Sequence, residues 1–135
     1  MSETIAFEGR HVSHEQEAIK NAGEAVFRSA IKTVGESIVA INAANGWNVT
    51  TPDDWGADGN PYKIPAVLAL LTSEVSEALE AFRHDDAANF AEECADAFIR
   101  LVDMTHGLGI DLGLAVLAKL EKNRRRGYRH GGKRV

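Results

Sequence analysis

Apolar residues recur at helical spacing in four stretches of the chain, and turn-forming residues separate them. From about Ser13 the pattern becomes helical. Phe27, Ile31, Val34, Ile38 and Ile41 follow a four-three-four-three spacing that places them on one helix face. "NAANGW" ends this helix, with Gly46 suited to a C-terminal cap. A second helix is predicted from about Ile64 to Arg83. Ile64, Leu68, Leu71, Val75, Leu79 and Phe82 form the centre of its apolar face. "RHDDAAN" is a short connection in which Asp85 or Asp86 can cap the next helix. That third helix runs from about Ala87 to His106, with Phe90, Cys94, Ala97, Phe98, Leu101 and Val102 as its apolar side. "GLGID" breaks it, Asp111 is placed to cap a fourth helix reaching about Arg126, and Gly127 stops the last one. No segment reads as a strand. Residues 1–12 are expected to be irregular, and 127–135 form a basic tail. The expected fold is all-α: one domain over residues 1–135, with about four main helices in a bundle.

Two places resist this plain reading. The stretch "NVTTPDDWGADGNPYKIP" is a long loop inside a small domain, which is characteristic of a functional segment or of disorder. Trp47, Trp55 and Tyr62 lie in or beside it, and such aromatics can stack on a planar ligand. The second helix carries Glu74 and Glu77 three residues apart on the shoulder of its apolar arc, next to Val67, Ala78, Leu70 and Ala81. Two like charges there repel each other and lose solvent, which is unfavourable without a cation. Glu80 points further out and reads as surface.

Composition narrows the setting. The chain has 135 residues, 44% hydrophobic and 26% charged, with a formal net charge of -5. These are ordinary values for a soluble globular protein. No apolar run is long enough to span a bilayer, and the N-terminus has no secretory pattern, so a cytoplasmic protein is expected. The single Cys94 excludes an intramolecular disulfide and a Cys-rich zinc site, and reads as a small core residue, like Met104. The charge is uneven: "KLEKNRRRGYRHGGKRV" is strongly basic and most of the acid precedes it.

The third helix pairs with this charge pattern. Glu93, Asp96, Arg100 and Asp103 form a polar strip, with Glu93 at the apolar margin. On the wheel alone it reads equally as a solvated face. An ExxE pair followed by an ExxD pair on an adjacent antiparallel helix would let four carboxylates converge. Hard oxygen ligands without Cys suit Mg²⁺, or Mn²⁺. On the fourth helix Leu112, Ala115 and Val116 share a face with Lys119, Asn123 and Arg126, so an apolar face becomes cationic toward its end. Cations suit a helix C-terminus, and they also suit a metal-bound polyphosphate. His130 and Lys133 follow.

At these residues the chain resembles the MazG-like members of the all-α NTP pyrophosphatase superfamily. "SEVSEALEAFR" is similar to the family's ExxE helix, "EECADAFIRLVDM" to its ExxD helix, and "KLEKNRRRGYRHGGK" to its K-x3-N-x2-R segment. The resemblance spans roughly Gly46 to Lys133. It implies Mg²⁺-dependent hydrolysis of a (deoxy)nucleoside triphosphate to the monophosphate and pyrophosphate, as in nucleotide-pool house-cleaning. It also implies a homodimer or homotetramer whose bundle is completed by assembly. Glu74, Glu77, Glu93 and Asp96 would be the metal ligands. Glu77 or Glu74 would orient or deprotonate the attacking water. Lys119, Asn123, Arg126 and Lys133 would bind substrate, with Trp47 and Trp55 as base contacts. The Pro/Gly-rich loop and the long first helix depart from the plainest members.

Two other readings compete. A di-iron bundle needs Glu-x-x-His on two helices, and only Asp103 to His106 comes near. A non-enzymatic helical bundle binding a partner through the basic tail would leave the carboxylate pairs as ordinary surface.

Overall fold

The computed structural model of the protein describes residues 4–7, 10–56 and 58–126. It is all-α in its main architecture, with four helices: α1 (His14–Ala44), α2 (Lys63–Arg83), α3 (Ala87–Gly107) and α4 (Leu112–Arg125). A short 3₁₀ turn, Pro52–Trp55, interrupts the loop between α1 and α2. The expectation that residues 1–12 are irregular is corrected. Strands β1 (Thr4–Phe7) and β2 (Arg10–Ser13) pair antiparallel, with Thr4 opposite Ser13 and Phe7 opposite Arg10. The ladder satisfies backbone donors and acceptors that an irregular segment would leave to water. So short a run, with Thr4 and Ala6 alternating with Ile5 and Phe7, gives little pattern to read. The expected tail, 127–135, lies outside the described residues. No single helix among those described is long and apolar enough to cross a membrane.

Three helix ends explain why the elements stop where they do. At the end of α1, Trp47 N donates to Asn42 O and Gly46 N to Ala43 O, with Gly46 at φ 80°. This is the 6→1 and 5→2 pair of a Schellman cap, for which glycine carries no steric penalty. Ile110 and Gly109 close α3 in the same way on Thr105 O and His106 O. At the end of α2 the left-handed position is taken by Asp85, at φ 56°, while Asp86 N reaches Ala81 O. Asp86, not Asp85, then caps α3 by accepting from Asn89 N at 3.0 Å. Two aspartates in sequence thus perform two different jobs.

The chain gathers into two compact units. In the unit Lys32–Asp111, α2 and α3 pack against each other. Glu74 bonds Arg100 and Glu77 neighbours Glu93, so the helices run antiparallel. The seam is rotated from the expected apolar centre. On α2, Glu74, Ala78 and Ala81 are buried, with Ile64, Val67 and Leu71 half-buried. Leu68, Val75, Leu79 and Phe82, the centre of the apolar arc in sequence, are exposed. Two small alanines let the backbones approach closely, a contact larger side chains would hold apart. On α3, Val102, Met104 and Thr105 are buried, while Phe90 and Phe98 are exposed. Cys94 is also exposed, which corrects its expected core position.

Val102 is the most enclosed side chain described, at 1% exposure. Val102→Ala is expected to destabilise the fold by about 2 kcal/mol, from lost transfer energy plus a small cavity. Urea unfolding should show a lower midpoint with an unchanged slope. In the other unit, Met1–Ile31 with Leu112–Val135, α4 approaches the first half of α1 closely. A Cβ on the buried Gly113 would stand 3.0 Å from the Cα of Arg28.

Candidate metal centre

Glu74 lies on the buried face of α2, with 6% of its surface exposed. Glu77 is one turn further along and exposed, and Glu93 of α3 is half-buried. One carboxylate oxygen from each of these three residues lies within 4.8 Å of the others. The i, i+3 spacing puts the α2 pair on one edge of the helix. The close α2–α3 approach at Ala78 and Ala81 then brings Glu93 to them.

A cluster of this kind carries an electrostatic cost. Glu93 shows it: its pKa is raised above the ordinary 4.5. The largest cause is partial desolvation, followed by the charge of Glu77 and a proton shared with that carboxyl, then Glu74 and Asp96. The folded state therefore holds this proton more tightly than the unfolded chain does. Stability falls as pH rises from the ordinary carboxylate range through the raised value, and the ionised cluster is unfavourable at neutral pH. Glu93→Gln should raise the melting temperature of the metal-free protein at neutral pH. That advantage should vanish at acid pH, and thermal melts across the range would show both.

Glu74 is the member for which burial is most expensive, and it has a partner. Arg100 Nε of α3 donates to Glu74 Oε1. Arg100 stands seven residues from Glu93 and four from Asp96, so one strip of α3 supplies acid, acid and base to the seam. The strip read as possibly solvated is half-buried along Glu93, Asp96, Arg100 and Asp103. Asp96 stands apart from the three converging oxygens, although its charge reaches Glu93. Asp103 Oδ1 is buried and has no hydrogen-bond partner among the described residues.

The donor set fits a hard divalent cation. Three carboxylates from two helices offer oxygen ligands without sulfur or imidazole, and a dication would relieve the repulsion recorded at Glu93. Glu80, expected as surface, is surface. It bonds Arg83 at 3.1 Å and His84 at 3.0 Å within its own helix, and these two partners hold its carboxyl below the ordinary range.

The remaining expected site residues fall elsewhere. Lys119 and Asn123 are exposed on α4, and Arg126 is exposed just past its end. They belong to the unit containing α4, and the carboxylates to the unit containing α2 and α3. Lys133 lies outside the described residues. Trp47 and Trp55 are exposed at 71% and 74%, at either end of an ordered stretch of the long loop. That order has local causes. Thr51 N donates to Asp54 Oδ2 at 2.8 Å, Tyr62 N to Asn60 Oδ1 at 2.9 Å, and Lys63 Nζ to Asn48 O at 2.8 Å.

Arg100 is the residue that sequence reasoning undervalued. Its place in the polar strip was visible, but its partner is 26 residues away on another helix. The available signal was the lone cation within an acidic strip facing an ExxE helix. No protein-family model matches the chain, no curated protein matches it, and no solved structure matches it.

Proposed function

We propose that the protein is a Mg²⁺-dependent nucleoside triphosphate pyrophosphohydrolase, releasing pyrophosphate and a nucleoside monophosphate. The observation that carries this reading is the meeting of Glu74, Glu77 and Glu93 between α2 and α3, in the ExxE and ExxD segments that resemble the MazG-like pyrophosphatases.

Glu74, Glu77 and Glu93 would hold the cation, with Asp96 adding charge beside them. Bound there, Mg²⁺ would neutralise phosphate charge and lower the barrier to attack by water at phosphorus. Glu77, exposed and at the edge of the cluster, is the carboxylate best placed to orient that water or take its proton. Glu74, buried and bonded to Arg100, is suited to holding rather than to proton transfer. Lys119, Asn123 and Arg126 would hold phosphate or ribose oxygens, as cations and an amide can. Trp47 and Trp55 offer exposed rings for stacking on a base.

Assembly belongs to the same proposal. Leu68, Val75, Leu79 and Phe82 line one exposed face of α2, and Phe90 and Phe98 are exposed on α3. An apolar face of this kind suits burial against a second copy of the chain, completing the bundle.

The test is pyrophosphate release from a panel of ribo- and deoxynucleoside triphosphates, with Mg²⁺ and with chelator. Mg²⁺-dependent release of pyrophosphate, with the monophosphate as co-product, is expected for at least one nucleotide. Release of inorganic phosphate alone, or none from any nucleotide, would remove this reading and leave a helical module that binds a partner.

A further inference from the structure

Arg100 of α3 is bonded to Glu74 of α2 across the seam. The contact uses only Nε, on a single oxygen, instead of the two-pronged grip that a guanidinium can make on a carboxylate. The two partners are also unequally held. The Glu74 side chain is 8% exposed and that of Arg100 is 39% exposed. Glu74 has little freedom to move, whereas Arg100 has open space on one side.

The surrounding charge gives the pair its meaning. Glu74, Glu77 and Glu93 converge, the charge of Asp96 reaches Glu93, and Arg100 is the cation bonded to Glu74. A buried carboxylate without a counter-charge is strongly unfavourable, so the metal-free protein needs a cation at Glu74. A dication held by the same carboxylate would repel a guanidinium bonded to it. The two cations therefore compete for one buried anion.

We infer that Arg100 is an internal counter-cation for Glu74, holding the buried carboxylate in place in the metal-free protein and giving it up when a divalent ion binds. The inference rests on the metal reading above and deepens it. Arg100 is a positioning residue here, acting through Glu74. Its presence lowers the intrinsic affinity of the site for metal, because part of the binding free energy goes into breaking the Arg100–Glu74 contact. In return, the metal-free protein avoids an unpaired buried charge.

Isothermal titration with Mg²⁺ alone, at mildly alkaline pH, tests this together with thermal melts of the same samples. Arg100→Gln should bind Mg²⁺ about tenfold more tightly than the unaltered protein, because the competing partner is gone. Its metal-free melting temperature should be lower, and its gain on Mg²⁺ saturation larger. Arg100→Lys, which keeps the charge but loses the Nε donor, should fall between the two. Equal or weaker Mg²⁺ binding by Arg100→Gln would overturn the inference and make Arg100 a fixed structural support. If Arg100→Gln does not fold, Arg100→Lys decides: tighter binding than the unaltered protein supports the exchange, and equal or weaker binding overturns it. Absence of any Mg²⁺ binding by the unaltered protein is a different failure, which removes the metal reading and this inference together.

Discussion

Under the proposed function, Glu77→Gln is expected to lower Mg²⁺-dependent pyrophosphate release by about a thousandfold or more, the scale on which loss of a group that stabilises or activates the transition state is felt. The substitution keeps the shape and removes one negative charge from a cluster that repels itself. Glu77 is exposed, so no core contact is lost. The raised pKa of Glu93 has the Glu77 charge and the proton shared with Glu77 among its leading causes. Removing that charge should leave the metal-free melting temperature equal to or above that of the unaltered protein. Loss of activity with preserved stability is the combination that separates a chemical role from a structural one. Glu80→Gln provides the contrast. Glu80 lies three residues further along the same helix, bonded to Arg83 and His84 and turned away from the seam. It should change both turnover and stability little, as exposed ion pairs do. Full activity in Glu77→Gln would sink the site, and a large loss in Glu80→Gln would shift it along α2.

The helices were legible because their limits are local. Gly46 and Gly109 supply left-handed caps, Asp86 supplies an N-cap, and the apolar spacing supplies the period. What lay beyond the sequence was the rotation of α2. The wheel favours the arc through Leu68, Val75, Leu79 and Phe82, because it weighs hydrophobicity. The packed seam instead runs through Glu74, Ala78 and Ala81, because it needs small side chains and a paired charge. Ala78 and Ala81 permit close approach, and Arg100 lowers the cost of including Glu74. The counter-charge comes from another helix, which no single-helix pattern contains. The two awkward glutamates were therefore readable as a candidate site before their surroundings were. The 3₁₀ turn and its Thr51–Asp54 contact were also out of reach, since loop order here depends on a few specific hydrogen bonds. The N-terminal hairpin was missed for a related reason: four-residue strands carry almost no period.

The same local-versus-packed distinction predicts the largest stability effect, and it concerns glycines in helices. Gly107 is the last residue of α3 and lies against the loop before the 3₁₀ turn. A Cβ there would fall inside the van der Waals contact of the Thr50 carbonyl oxygen, 3.0 Å from its carbonyl carbon and 3.1 Å from the Thr50 Cβ. Thr50 is itself buried at 3% exposure, so the neighbour has little room to retreat. The obstacle is backbone rather than the end of a flexible side chain, and relief requires moving the loop or the helix end. Gly107→Ala should therefore cost about 3 kcal/mol, the upper range for inserting a methyl group into packed structure. For a chain of this size that corresponds to a fall in melting temperature of roughly 10 °C. Helix propensity alone predicts the opposite sign, since alanine is the better helix former by about 1 kcal/mol. Gly23 shows that sign: it lies within α1, and a Cβ there meets nothing within 4 Å. Gly23→Ala should stabilise by about 0.5–1 kcal/mol through the backbone entropy it removes from the unfolded chain. Denaturant unfolding of the two variants under the same conditions should thus move the midpoint in opposite directions. A neutral or stabilising Gly107→Ala would mean that the α3 end and the Thr50 segment do not meet as closely as the structure has them.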